Sequence, residues 1–465
     1  MSPFPSGSRK IRLRGRVTDM VRFYKPKRGT HKTRSFVEAK IESLDIHCRG
    51  VAHQGGKVWF ADGVLPGEEI TGEVLDEKAA YGELRVQTVR VPSPERLEPR
   101  CPFFGKCGGC SLQFMKEETQ LDAKKKGIRQ VFSKNTGMDP GEPELVVSPV
   151  SSGYRRSIRL STLFDARHKV LLVGLRARGS HDIIPIDDCM VLTDALRAEV
   201  KSERIAKVLN AFSDPKAIGH IEFSEADNGV FLLLRIKSAL PEHERELLLE
   251  YEKDSGVTVY TDCGDGHGAL PVREGANVPF YTVRGVRITY LPGDFIQVNG
   301  KVNEEMVGTV EKWLAPTKDD EVLDLFAGAG NFTYPLAALS KRAVGAEIVS
   351  DMVKHGRANA GYSGIANAEF VRVDLSKAFS SESFSTGSYS LAVLDPGRSG
   401  ADVAVKYIAG KKSVKRFVYV SCNPVMAARD LAGLLGHGWT LSKWGMFNMF
   451  PETEHVESAF LIERS

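Results

Sequence analysis

The sequence lacks long apolar runs and has few cysteines for its length. None of its 465 residues lies in an apolar stretch approaching the roughly 18 residues that a membrane-spanning helix needs. The opening segment, MSPFPSGSRKIRLRGR, has no apolar core after its basic positions, so no secretory signal is expected. Seven cysteines in a chain of this size are not a disulfide scaffold. We therefore expect a cytoplasmic protein whose cysteines bind a metal or act in catalysis.

Internal repeats are also missing, and the composition is that of ordinary globular domains. No period of 20–50 residues is present, which excludes a solenoid. The hydrophobic fraction is 42% and the charged fraction 26%, and 465 residues correspond to two to four domains. We assign a basic disordered tail to residues 1–34, a small β-barrel to 35–94, an α+β domain to 95–290 and an α/β domain to 291–465.

The net charge of +4 conceals a strongly basic N-terminal arm. Residues 1–35 contain eleven Lys and Arg and a single acid, Asp19, so this segment carries +10 and the remainder −6. Such an arm attracts phosphate backbones, which makes nucleic acid a candidate partner. A solvated tail remains the alternative reading of this segment on its own.

Short strand-like runs separated by glycine turns follow the arm. Candidate strands lie at 58–60, 69–71 and 84–86, with turn signals at 55–56 and 66–67. This pattern predicts a small closed barrel.

From about residue 320 the pattern changes to short apolar runs separated by helical segments. Alternation of this kind predicts an α/β fold with a parallel sheet and right-handed crossovers. Ligands of such sheets lie beyond the carboxyl ends of the strands, so the residues that end each run are candidate site residues. The five runs are EVLDLF, RAVGAE, EFVRVD, LAVLD and RFVYVS.

The first three runs end in residues suited to a cofactor that contains a nucleoside. A turn with Gly328 and Gly330 follows the first run, and glycines let the backbone pass close to a ligand. The third glycine of a dinucleotide-binding G-x-G-x-x-G is replaced by Thr333. Glu347 ends the second run, where an acid accepts hydrogen bonds from ribose hydroxyls, and Asp374 ends the third, near the expected adenine.

The string around this turn resembles the first motif of S-adenosylmethionine-dependent methyltransferases. The motif is D-L-F-x-G-x-G-x-F at residues 324–332. The resemblance implies a Rossmann-like class I methyltransferase domain and S-adenosylmethionine as the cofactor. The fourth run leads into Asp395-Pro-Gly-Arg398, and Arg398 stands where methyltransferases acting on exocyclic amines carry an aromatic residue.

The fifth run ends in Ser421-Cys422-Asn423-Pro424, a cysteine just before a predicted helix. Pro424 suits the first helical turn, because its missing N–H is not needed there. The partial positive charge at a helix N-terminus is expected to favour the thiolate of Cys422. An inert buried cysteine is the alternative from local sequence alone.

Methylation of carbon 5 of a pyrimidine would explain a thiolate in a methyltransferase. That carbon is a weak nucleophile, but addition of a thiolate to carbon 6 gives an enolate whose carbon 5 attacks the methyl group. A base must then remove the proton from carbon 5 so that the thiolate can leave. Glu457, at the edge of the last apolar run, is the candidate base, and alternation places His455 on the same face. We expect Glu452 and Glu454 to be solvated.

Three cysteines form the string C-x5-C-x2-C, at Cys101, Cys107 and Cys110. Zinc sites usually come as two close pairs, and ferredoxin clusters usually show C-x2-C-x2-C-x3-C-P. This string matches neither pattern, and three ligands need a fourth. Spacing alone leaves zinc, an iron–sulfur cluster and free thiols open.

Several motifs, in chain order, resemble those of the RNA uracil-5-methyltransferase family from about residue 35 to the end. They are DFIQVN at 294–299, DPGRSG at 395–400, VSCNP at 420–424 and FPxTxHVE at 450–457. The resemblance implies Cys422 as the nucleophile and Glu457 as the base. It also implies contacts with the cofactor or the target base from Gln297, Phe326, Asn331, Glu347, Asp374 and Asp395.

The cysteine string and the barrel resemble parts of one branch of this family. C-x5-C-G-G-C looks like the [4Fe-4S] site of the ribosomal-RNA branch, which implies Cys189 as the fourth ligand beside Cys101, Cys107 and Cys110. The barrel resembles a TRAM domain, an oligonucleotide-binding-like module of RNA-modifying enzymes.

Together the resemblances imply S-adenosylmethionine-dependent methylation of carbon 5 of a specific uridine in RNA. The expected substrate is 23S ribosomal RNA, and the alternatives are transfer RNA or a non-catalytic RNA-binding assembly factor. We expect RNA as the partner, no membrane association and a monomeric chain.

Overall fold

A computed structural model describes residues 34–379 and 382–465, apart from the side chains of Ser202 and Ser383. The predicted disordered tail, residues 1–34, lies outside the described residues up to position 33. The described strands form sheets of six, seven, two and eight strands. In the same residues, no helix has both the length and the apolar character needed to cross a membrane.

The N-terminal sheet closes into the predicted barrel. Its strands are β1 (Phe36–Lys40), β2 (Ser43–Leu44), β3 (Gly50–Gln54), β4 (Lys57–Ala61), β5 (Glu69–Glu77) and β6 (Tyr81–Val91). The sheet order is β1-β5-β6-β4-β3-β2. β1 pairs with β5 at one edge of the sheet, and β2 pairs with β3 at the other. Because β1 and β2 follow each other in the chain, the segment that contains them connects the two edges. Ile41, Trp59 and Ile70 are among the buried side chains that fill the interior.

A helix and a short strand after the barrel pack with the C-terminal sheet. They are α1 (Glu117–Thr136) and β7 (Leu145–Val147). Phe132 of α1 stacks on Phe460 of the C-terminal sheet, with ring centroids 5.2 Å apart. Both elements fall within residues 95–290, which the sequence assigned to the central domain. However, α1 buries apolar side chains against the C-terminal sheet, and β7 pairs with β22 at the edge of that sheet.

The central region is an α+β unit built on a seven-stranded sheet of order β10-β9-β8-β11-β12-β13-β14. Its strands are β8 (Ser157–Asp165), β9 (Val170–Arg176), β10 (Ile183–Ile184), β11 (Ile218–Ala226), β12 (Gly229–Ile236), β13 (Thr258–Asp262) and β14 (Leu270–Pro271). Its helices are α2 (Asp194–Ser202), α3 (Arg204–Asn210) and α4 (Glu242–Ser255), and Pro215–Ala217 forms a 3-10 turn. Leu196, Leu209 and Leu248 bury the three helices against the sheet.

The C-terminal region begins with a hairpin and a helix and continues as alternating strands and helices. These are β15 (Phe280–Val283), β16 (Val286–Thr289) and α5 (Gly300–Leu314). They are followed by β17 (Glu321–Leu325), α6 (Thr333–Leu339), β18 (Arg342–Glu347), α7 (Ser350–Ser363), β19 (Ala368–Arg372), a 3-10 turn (Ser383–Thr386), β20 (Leu391–Leu394), α8 (Asp402–Gly410), β21 (Arg416–Ser421), α9 (Pro424–Ala432), β22 (Trp439–Phe447) and β23 (Glu457–Arg464).

The eight-stranded sheet has the order β19-β18-β17-β20-β21-β23-β22-β7. The five runs predicted as parallel strands are β17 to β21, which pair in parallel. β23 runs antiparallel to β21 and β22. β17 and β20 are buried almost throughout, because helices cover both faces of the sheet. The chain order reverses between β17 and β20, which predicts a ligand site beyond their carboxyl ends.

Candidate active site

A cavity of about 850 Å³ opens beyond the carboxyl ends of β17, β18, β20 and β21. One wall comes from the C-terminal sheet and the opposite wall from the cysteine-bearing segment and the central region. Eleven of the twelve residues predicted as catalytic, cofactor-binding or cluster-binding line the cavity together: Cys101, Cys107, Cys110, Cys189, Gln297, Phe326, Asn331, Glu347, Asp395, Cys422 and Glu457.

The turn after β17 is fastened to the end of β18 through Glu347. One carboxylate oxygen of Glu347 accepts a hydrogen bond from the Gly328 N–H at 3.1 Å, and the other accepts from the Val349 N–H at 2.9 Å. Phe326, at the start of the turn, has φ +70°, and Gly330 has φ +105°. A non-glycine residue in the left-handed region costs about 1–3 kcal/mol and is maintained by its surroundings, typically at functional sites.

Asn331, in the same turn, is held by residues that the sequence did not single out. Its amide exchanges two hydrogen bonds of 2.9 Å with Asn303 of α5, and its Oδ1 also accepts from the Tyr281 hydroxyl at 3.1 Å. Asn303 and Tyr281 are buried. They lie 28 and 50 positions from Asn331, and no local sequence pattern marks them.

The loop that carries Gln297 is anchored on the central region by Arg156. The Arg156 guanidinium donates to the Gln297 carbonyl at 2.8 Å, and its backbone N–H donates to the Val298 carbonyl at 2.9 Å. The same guanidinium lies 4.6 Å from the centroid of the Tyr281 ring. Gln297 itself is buried at the cavity wall.

Asp374 is the predicted site residue outside the cavity lining. Its carboxylate accepts hydrogen bonds from the Ser376 hydroxyl at 2.6 Å and the Ser376 N–H at 3.1 Å, and it pairs with Lys377 at 2.9 Å. These partners, Ser376 first, lower the pKa of Asp374 to about 2. Its proposed contact with adenine stays a prediction.

Cys422 stands where predicted, between the end of β21 and the start of α9 at Pro424. Asn423 caps the helix by accepting from the Met426 N–H at 3.4 Å, and its side-chain amide donates to the Arg398 carbonyl at 2.9 Å. The expectation of a favoured thiolate is wrong. Burial, with Glu457 and Asp395 next, raises the pKa of the Cys422 thiol to about 11, and the cation of Arg398 offsets this only in part.

Burial also disfavours the ionised forms of three carboxyl groups near the strand ends, those of Asp324, Asp395 and Glu457. Burial raises the pKa of Asp395 to about 7 and that of Asp324 to about 7. Burial and the neighbouring Asp395 raise the pKa of Glu457 well above its usual range. A cationic ligand in the cavity would favour the ionised forms of the Cys422 thiol and of Asp395 and Glu457, which line it.

His455 and Glu457 both line the cavity, in agreement with the predicted alternation. The expectation of solvation is wrong for Glu452, which is only 6% exposed. Glu454 is half-buried, and its carboxylate accepts a hydrogen bond from the Ser111 hydroxyl. Glu452 is covered because the loop between β22 and β23 packs against the segment that follows Cys110.

The four predicted cluster cysteines, Cys101, Cys107, Cys110 and Cys189, all line the cavity. Burial raises the pKa of Cys110 to about 12 and also raises that of Cys107 and Cys189, with the other thiols adding to the effect. Within residues 34–379 and 382–465, no three Cys, His, Asp or Glu side chains are arranged to hold one metal ion.

Polar groups nevertheless surround these thiols. The Gly109 N–H donates to the Cys107 sulfur at 3.3 Å, and N–H groups of Val191 and Leu192 face Cys189. The side chain of Gln113 accepts from the Cys101 N–H at 3.1 Å and faces Cys110. Its buried Nε2 has no hydrogen-bond partner among the described residues.

Comparison with known proteins gives one family match and many close relatives. Residues 281–465 match the family described as tRNA (Uracil-5-)-methyltransferase. The chain is 40% identical over 447 residues to a 23S rRNA (uracil(1939)-C(5))-methyltransferase, RlmD, of Tolumonas auensis, covering 96% of this chain and 100% of the relative. It is 38% identical over 446 residues to the protein of the same name in Aeromonas hydrophila, again covering 96% and 100%.

A solved structure has a similar fold over most of the chain. It is the tRNA (uracil-54, C5)-methyltransferase of Pyrococcus abyssi in complex with S-adenosyl-L-homocysteine. The TM-score is 0.69, and the match covers 91% of this chain and 99% of the other. At 22% sequence identity this similarity supports the fold alone.

Proposed function

The chain belongs to the RNA (uracil-5-)-methyltransferase family, an enzyme family, and from that premise we propose the reaction it performs. The reaction is methylation of carbon 5 of the uridine equivalent to uracil 1939 of 23S ribosomal RNA, the position given in the relatives' names. S-adenosylmethionine supplies an electrophilic methyl group on a sulfonium.

The convergence of Cys422, Asp395 and Glu457 in one cavity is the observation that carries this proposal. The three groups are close enough that both carboxyls raise the pKa of the thiol. A nucleophile beside a buried carboxyl is the pair that methylation of a pyrimidine carbon requires. Oxygen and nitrogen acceptors need no such pair.

In the proposed mechanism the Cys422 thiolate adds to carbon 6 of uracil. Carbon 5 of the resulting enolate then attacks the methyl group, the carbon–sulfur bond of the sulfonium breaks, and S-adenosylhomocysteine leaves. The Glu457 carboxylate removes the remaining proton from carbon 5, the double bond between carbons 5 and 6 re-forms, and the Cys422 thiolate leaves. The target base must leave its stack to reach a thiol inside a cavity. The Asp395 carboxyl group suits uracil, because its ionised form accepts from the imide N–H and cytosine offers no proton there.

Residues at the strand ends are proposed to hold the cofactor. Glu347 retains free lone pairs beside its backbone partners and suits the ribose hydroxyls. Gln297, Phe326 and Asn331 line the adjoining wall, and Asp374 is proposed near the adenine.

The four cysteines are proposed to hold a [4Fe-4S] cluster. A [4Fe-4S] cluster is held by four cysteine thiolates, and these residues would supply that number. The N–H groups facing Cys107 and Cys189, and the unpartnered Gln113 amide beside Cys110, suit thiolate and sulfide acceptors. Anaerobic protein should contain about four iron and four sulfide per chain; zinc in place of iron would contradict this assignment.

The barrel is proposed to bind RNA as a TRAM-like module. The Arg49 guanidinium lies 4.5 Å from the centroid of the Phe60 ring, and Tyr81 meets Phe60 edge-on at 6.4 Å. Aromatic rings with an adjacent cation are the features on which barrels of this type stack single-stranded bases.

Covalent trapping tests the reaction and its substrate together. A segment of 23S RNA with 5-fluorouridine at the target should form an adduct with the wild-type protein that survives denaturation, because fluorine cannot be removed as a proton. Cys422→Ala should form none. A transfer RNA labelled in the same way tests the alternative substrate. Binding without trapping or methylation of either RNA would favour the non-catalytic assembly factor.

A further inference from the structure

The loop between β22 and β23, residues 448–456, lies on the segment that follows the third cysteine of the string. The Glu452 carbonyl accepts hydrogen bonds from the backbone N–H groups of Ser111 at 2.9 Å and Leu112 at 3.0 Å. The Ser111 hydroxyl donates to the Glu454 carboxylate and accepts from the Glu454 N–H at 3.2 Å. The loop is therefore held by residues immediately after Cys110.

Gln120 and Glu452 form a buried pair at the centre of this contact. Nε2 of Gln120 donates to the Glu452 carboxylate at 3.0 Å, and Oε1 of Gln120 accepts from the Glu452 N–H at 3.3 Å. The same Nε2 lies 3.1 Å from the Met115 carbonyl. Gln120 is 2% exposed and Glu452 is 6% exposed, so a displaced loop would leave buried polar groups unpaired.

The backbone at Glu452 fixes the direction in which the loop enters the cavity. Glu452 has φ +65°, a conformation that a non-glycine residue keeps only when its surroundings impose it. Glu457, five positions later, is the first residue of β23 and pairs with Phe447. The strand pairing of β23 holds the backbone on the C-terminal side of Glu457. The path of the loop from Glu452 holds the backbone on its N-terminal side.

We propose that Gln120 and Glu452 are positioning residues that hold the loop 448–456 so that the Glu457 carboxyl faces the target base. Neither residue is part of the cavity lining, so both act through the loop. The proposal rests on the proposed role of Glu457 as the base. It implies that the cysteine-bearing segment 101–115, through its contacts with the loop, influences the proton removal that precedes product release.

Gln120→Leu tests this connection, because it removes both hydrogen bonds to Glu452 at similar side-chain volume. Trapping by 5-fluorouridine RNA needs no proton removal and should proceed at the wild-type rate. Turnover on ordinary uridine RNA should fall about tenfold to hundredfold, the usual cost of a misplaced catalytic group. A methylated protein–RNA adduct should accumulate during that turnover, visible on a denaturing gel with a labelled methyl group.

Ser111→Ala is the second variant, in case Gln120→Leu does not fold. It removes only the hydroxyl contacts with Glu454 and should give a smaller change in the same direction. Glu452→Gln keeps an acceptor for Gln120. This variant should therefore retain most of the turnover that Gln120→Leu loses.

Asn210→Leu is the matched control. Asn210 is also an amide that joins distant segments, accepting from the Leu171 N–H at 2.7 Å and donating to the Leu171 carbonyl at 3.1 Å. It lies in the central region, so its loss should leave the ratio of trapping to turnover unchanged. Equal slowing of trapping and turnover in Gln120→Leu and Ser111→Ala, or unchanged turnover, would overturn the proposal. Failure of the wild-type protein to trap would instead refute the proposed function.

Discussion

Asn303 and Asn331 exchange two amide hydrogen bonds of 2.9 Å each, and this pair joins α5 to the glycine turn after β17. Asn303 is 1% exposed, so its amide cannot replace a lost partner with bulk water. The pair transmits the position of α5 to the wall of the cavity at which we place the cofactor.

Replacing Asn303 by leucine should weaken cofactor binding. The Asn331 amide would lose a donor and an acceptor together, and a typical hydrogen bond contributes about 0.5–1.5 kcal/mol. We expect about a tenfold weaker affinity for S-adenosylhomocysteine by titration calorimetry, since ~1.4 kcal/mol is tenfold. Thr309→Val, on the same helix with a hydroxyl bonded inside the helix, should bind normally. Normal affinity in Asn303→Leu would show that Asn331 does not shape the binding site.

Alkylation of Cys422 by iodoacetamide should accelerate with pH. Burial raises the pKa of this thiol to about 11, and below that value the reactive thiolate fraction rises about tenfold per pH unit. Peptide mass spectrometry should therefore show Cys422 modified about tenfold faster at pH 8 than at pH 7. Arg398→Gln should slow the reaction at each pH, because Arg398 is the cation that lowers the pKa. Lys377→Gln removes a cation that pairs with Asp374 and should not slow the alkylation of Cys422. A rate already constant at pH 8 would contradict the raised pKa.

Glu457→Gln should separate the two halves of the reaction. The amide cannot accept the carbon 5 proton, so steady-state methylation should fall by about 10²–10⁴-fold. Attack by Cys422 does not use this group, so the protein should still trap 5-fluorouridine RNA and should accumulate a methylated adduct on uridine RNA. The measurement is adduct formation on denaturing gels. His455→Gln, also in the cavity, is the comparison; loss of trapping in Glu457→Gln alone would assign the carboxyl to an earlier step.

Asp324→Asn should stabilise the fold more at pH 8 than at pH 5. Asp324 is fully buried and accepts from the Thr333 hydroxyl at 2.5 Å, and burial raises its pKa to about 7. Between the ordinary carboxyl pKa and about 7 the unfolded chain releases a proton that the folded chain keeps, so this group lowers stability as pH rises through that range. The neutral amide removes the dependence. Thermal unfolding of both proteins at the two pH values measures it, and an equal effect at pH 5 and pH 8 would contradict the raised pKa.

Much of the site could be predicted because it lies at strand ends that the apolar runs mark directly. The runs EVLDLF, RAVGAE and RFVYVS became β17, β18 and β21 within a residue at their ends. Chemistry then pointed to Cys422 and Glu457, since a thiol and a base are needed together. The same reasoning misjudged Glu452, because local polarity carries no information about what packs over a loop.

The sequence by itself determined the parallel sheet, the barrel and the chemical types present at the strand ends, because these follow from periodicity and spacing within short windows. Only the tertiary structure decided that α1 and β7 join the C-terminal sheet, that Asn303 holds Asn331 and that Gln120 holds Glu452 across 332 positions. It also decided that the Cys422 pKa lies above its ordinary value. Burial and the charges that surround a residue depend on contacts between distant segments, so they cannot be predicted from a local stretch of sequence.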